Sequence, residues 1–71
     1  MTAWVEVRRW NYGALTLSIR LRATPGLDLD GIVVILKGAD VIKTAPLESG
    51  FRSPELAIEE LTRIGESLID G

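Results

Sequence analysis

The chain has 71 residues, a net charge of −2 and 46% hydrophobic residues, and it contains neither cysteine nor histidine. At this length it is one domain, residues 1–71, near the lower size limit for independent folding, so its stability must come from close packing or from association. Without cysteine there are no disulfides or thiolate zinc sites, and without histidine the commonest metal ligand and acid–base group is missing.

The first strand is expected over residues 3–10 and the second over residues 14–24, together a β-hairpin over residues 3–24. In the second, Leu15, Leu17, Ile19, Leu21 and Ala23 alternate with Thr16, Ser18, Arg20, Arg22 and Thr24. Period-two alternation of this length marks a strand with one buried face. Asn11, Tyr12 and Gly13 are read as a three-residue loop with Gly13 in the left-handed region. That loop pairs Trp10 with Ala14, Val5 with Ile19 and Val7 with Leu17. It places Trp4, Glu6, Arg8 and Trp10 on the face opposite the leucine row. A one-residue slip would bury both tryptophans but would carry Glu6 and Arg8 inside with them, and burying those charges is the larger cost.

Residues 25–31 are a turn-rich loop, with Pro25-Gly26 suited to a type II turn and Asp30-Gly31 to a second bend. Strand sequence follows over residues 32–45. The run Ile32, Val33, Val34, Ile35, Leu36 is apolar on both faces, as in a central strand. Residues 38–40 read as a bulge or tight turn, and residues 41–45 as a fourth strand or a bent continuation of the third.

A helix is expected over residues 53–70. Ser53 suits the N-cap, Pro54 the first helical position and Glu55 the positive end of the helix dipole. Ala57, Ile58, Leu61, Ile64, Leu68 and Ile69 form one apolar stripe. Gly65, unfavourable inside a helix, points to close packing on the sheet. The expected fold class is α+β: a small antiparallel sheet of three to four strands with one C-terminal helix packed on the leucine face.

Arg8, Arg9, Arg20 and Arg22 against Glu6 alone give the first 24 residues a charge of +3, and the remainder carries −5. One helix covers one sheet face. The other is expected to expose Trp4, Arg8, Trp10, Arg20 and Arg22 over a partly apolar surface, residue types enriched at interface hot spots. A mean hydropathy of +0.22 is high for so small a domain and also favours association. The expected function is a non-catalytic interaction module, a homodimer or a partner of another protein through this face. A nucleic-acid-binding or regulatory domain using the same face is the alternative, its nucleic-acid form weakened by the acidic balance of the chain.

No cofactor, metal site or catalytic group is expected. Asp28 and Asp30 precede Gly31 as in the start of a calcium loop, but the rest of that loop is missing. The glycines form no phosphate-binding fingerprint, and no nucleophile–base pair stands out among the side chains. The acidic helix residues Glu55, Glu59, Glu60, Glu66 and Asp70 read as a solvated face. The opening residues lack the pattern of a signal peptide, and the longest apolar run spans residues 32–36, far short of a membrane span. A cytoplasmic protein with no membrane contact is expected.

Overall fold

The computed structural model describes residues 3–45 and 48–71. The class is α+β, an antiparallel sheet with one C-terminal helix packed against it. The strands are β1 (Val5–Tyr12), β2 (Leu15–Ala23), β3 (Leu29–Lys37), β4 (Asp40–Thr44) and β5 (Glu48–Phe51), followed by α1 (Pro54–Asp70). The sheet order is β1-β2-β3-β4, and β5 also pairs with β3. β4 runs along residues 34–37 of β3, and β5 meets Leu29 and Gly31 farther back on the same strand. Ala45 bridges the two, its N–H donating to the Val33 carbonyl at 2.9 Å.

The core lies between the sheet and α1. Leu17, Ile19, Leu21, Val33 and Ile35 present one buried face, and Ala57 and Leu61 meet them from the helix. Transferring each such large aliphatic side chain from water is worth roughly 1.5–3 kcal/mol, so this layer dominates the stability. The helix lies very close to the sheet at Gly65. A Cβ there would stand 2.7 Å from Leu17 Cδ2 and 2.9 Å from Val33 Cγ1. The helix start follows its sequence signals: the Ser53 hydroxyl accepts from the Leu56 N–H at 3.2 Å, and Pro54 opens the first turn.

Two expected boundaries are corrected, and one strand is new. The first hairpin loop has two residues, Gly13 and Ala14, and β1 continues through Tyr12. Gly13 has φ +64° whereas Ala14 is not at positive φ, the pattern of a type II′ turn, whose twist matches the flanking strands. The same Gly-Ala pair, with Gly38 also at φ +64°, joins β3 to β4. The expected loop over 25–31 is shorter, because β3 begins at Leu29. The short strand β5 had no sequence expectation at all.

The shorter loop changes the register. Trp10 pairs with Leu17, Arg8 with Ile19 and Tyr12 with Leu15, so these three side chains belong to the helix side of the sheet. Val7 is then an extra residue in a bulge, beyond which Glu6 pairs with Arg20 and Val5 with Leu21. The bulge turns Trp10 inward while leaving Glu6 on the outer face. A uniform one-residue slip could not do both; Glu6 is thereby kept from the helix side, and Arg8, which does lie there, stays exposed.

Candidate interaction surface

The five residues expected on one face are divided between two. Arg8 and Trp10 lie on the helix side. Arg8 Nη1 donates to Thr62 Oγ1 at 2.6 Å, Trp10 Nε1 donates to Glu66 Oε2 at 3.2 Å, and Tyr12 Oη donates to Asp70 Oδ2 at 2.6 Å. The Arg8 guanidinium also stacks over the Trp10 ring, 4.2 Å from its centroid. These groups fasten β1 to the helix. The bond to Asp70 holds the Tyr12 hydroxyl above its ordinary pKa, with burial as the next cause.

Trp4, Arg20 and Arg22 lie on the helix-free side. Arg22 extends over the Trp4 ring, 4.4 Å from its centroid, and its Nη2 reaches Asp30 Oδ2 at 2.8 Å. Asp30 is largely buried. Its carboxyl is held below the usual range chiefly by the hydrogen bond from Arg22, with the Ser49 hydroxyl assisting. Glu6 and Arg9, three apart on β1, share this face because of the Val7 bulge, and Arg9 Nε meets Glu6 Oε1 at 2.6 Å. That bond lowers the Glu6 pKa. Arg20 stands opposite Glu6 and bonds Ser18 Oγ at 3.4 Å.

Sequence reasoning expected a broad, partly apolar surface here. The structure instead buries its centre: Ser18, Val34 and Leu36 are all under 9% exposed although no helix covers them. The exposed apolar atoms lie elsewhere. Val41 and Ile42 on β4 are 56% and 53% exposed, and β4 is the end strand of the sheet. A second apolar surface is a shallow groove of about 260 Å³ beside the start of α1, with Val5, Val7, Ala23, Leu29 and Pro54 in its lining. The repeated Gly-Ala turn was the sequence signal that could have revealed the true register. Asp30 carried a weaker one, standing next to Gly31 at a strand start.

Among the described residues, no cluster of three or more His, Cys, Asp or Glu side chains could hold a metal ion. Nor is any helix among them long and apolar enough to cross a membrane. Comparison of the chain with protein-family models, curated proteins and solved structures gives no match.

Proposed function

We propose that this chain is a small non-catalytic protein–protein interaction module that associates with a second copy of itself through the helix-free face. The observation that carries the reading is the Trp4–Arg22–Asp30 arrangement. An indole and a guanidinium are stacked and held in place by a largely buried carboxylate. Trp and Arg are the residue types that dominate interface energetics, and pre-positioning them reduces the entropy lost on docking. The face bears both signs of charge, with Glu6 and Asp30 beside Arg9, Arg20 and Arg22. A surface of mixed sign can be complementary to itself across a twofold axis. The absence of cysteine and histidine from the sequence supports a role without catalysis, and the former suits a reducing cytoplasmic compartment.

Light scattering coupled to gel filtration tests this reading. The wild-type chain is expected to show a mass that rises with concentration, and the double variant Trp4→Ala/Arg22→Ala a lower mass at each loading. Equal masses throughout would remove the face from any role in self-association. Three arginines and an aromatic ring on one face also suit a nucleic acid, for which affinity would fall steeply with salt. A flat titration against mixed oligonucleotides at low salt would dispose of that second reading.

A further inference from the structure

We propose that two copies of this chain join edge to edge along β4, continuing the sheet across a twofold axis, with Asp40 of each copy opposite Lys43 of the other. The outer side of β4 pairs with no other strand among the described residues, and all five residues of the strand are exposed. Such an edge offers unpaired N–H and C=O groups to another strand. What selects a second copy as the occupant is the order of side chains. Asp40, Val41, Ile42 and Lys43, laid antiparallel against themselves, set acid against base at both ends and valine against isoleucine between. Opposite charges directly across an antiparallel pair stabilise it, whereas like charges disfavour it.

The geometry of β4 removes the obvious objection. In a regular strand, residues three apart point to opposite faces, so Asp40 and Lys43 of two copies could not meet in this register. Here Asp40 pairs with Lys37 and Lys43 with Ile35, residues two apart on β3, and the extra residue is Ile42. The bulge thus brings Asp40 and Lys43 to the same face of the sheet. A twofold axis perpendicular to the sheet preserves faces, so the acid–base pair forms twice in one closed, isologous contact. Bulges usually blunt an edge against pairing; this one aligns the two charges that would recognise a second copy.

This interface is separate from the Trp4–Arg22 surface, so the experiment is done in the Trp4→Ala/Arg22→Ala background, where the other contact is removed. Sedimentation equilibrium of that chain at low salt is expected to show a monomer–dimer equilibrium. Asp40→Lys alone and Lys43→Asp alone each place like charges together twice and should weaken dimerisation roughly tenfold, the effect of two lost pairs. The combined swap Asp40→Lys/Lys43→Asp restores both pairs and should recover most of the affinity. Circular dichroism checks that each variant is folded. If Asp40→Lys unfolds because it faces Lys37, Ile42→Lys takes its place and should abolish the dimer. A monomer at every concentration in this background would overturn the proposal. So would single swaps that dimerise like the parent, or a folded double swap that does not recover. Failure of the face reading alone would show instead as equal masses for the wild type and the Trp4→Ala/Arg22→Ala chain.

Discussion

The indole N–H of Trp10 donates to the carboxylate of Glu66 across 3.2 Å, joining the sheet's first strand to the helix. It is the middle of three such bonds, with Arg8 to Thr62 before it and Tyr12 to Asp70 after it. The spacing has a geometric basis. Alternate strand residues advance about 6.6 Å and every fourth helical residue about 6 Å, so a strand and a helix running in the same direction stay in step for three rungs. Trp10→Phe keeps most of the packing and loses the donor, and should lower stability by about 1 kcal/mol. Trp10→Ala also removes the half-buried ring and should cost about 2–3 kcal/mol, less than the value for a fully buried aromatic. Urea denaturation followed by circular dichroism measures both.

The Arg22–Asp30 pair predicts how stability depends on acid. The folded-state pKa of Asp30 is lowered, mainly by the hydrogen bond from Arg22. A lowered carboxyl contributes stability that is complete above the unfolded-state value and is lost as pH falls through the folded-state value. Thermal unfolding is therefore expected to lose midpoint temperature on acidification below the ordinary aspartate range. Asp30→Asn should start lower at neutral pH and show a shallower acid limb. Parallel limbs in the two proteins would mean that Asp30 is not a source of the dependence.

Gly65 sets local preference against packing. In an exposed helix position Gly→Ala stabilises by about 1 kcal/mol. Here the added methyl would press on Leu17 and Val33, both fully buried and on separate strands. Gly65→Ala is thus expected to destabilise by roughly 1–3 kcal/mol, the usual range for overpacking. Combining it with Leu17→Ala should give less than the sum of the two losses, because the smaller residue leaves room for the methyl. Additive losses in denaturant titrations would argue against this contact.

The residues differ in how openly they announced their places. The alternation of Leu15, Leu17, Ile19 and Leu21 indicated a strand and its buried side, and both are observed. Ser53 and Pro54 marked the helix start to within a residue, because capping depends on a few neighbouring atoms. β5 was not legible: Glu48, Ser49 and Gly50 have low strand preference, and pairing with β3 overrides it. The position of Trp10 was lost for a different reason. Faces along β1 depend on loop length and on a bulge, and a one-residue difference at either reverses every later side chain. The proposed interaction residues inherited that ambiguity, so Trp4, Arg20 and Arg22 share a face that Arg8 and Trp10 do not.

The Val7 bulge is therefore the feature to alter directly. Val7 stands between Glu6 and Arg8 with no partner on β2, so removing it leaves a regular strand with Arg8 still opposite Ile19 and Glu6 still opposite Arg20. Adjacent strand residues point to opposite faces, so Arg8 stays on the helix side and Glu6 on the helix-free side. Glu6 and Arg9 then stand two apart on one face, and the hydrogen bond that is the main cause of the lowered Glu6 pKa can still form. The expected result of an NMR titration of the Val7-deleted chain is a Trp10 indole resonance close to the wild-type position and a Glu6 carboxyl that still titrates below the ordinary glutamate range. The hairpin turn, fixed by a glycine at positive φ, and the pairs on either side of the bulge all agree with this regular register. A displaced indole signal, or a Glu6 that titrates at the ordinary value, would show that the bulge itself is needed to hold the two faces.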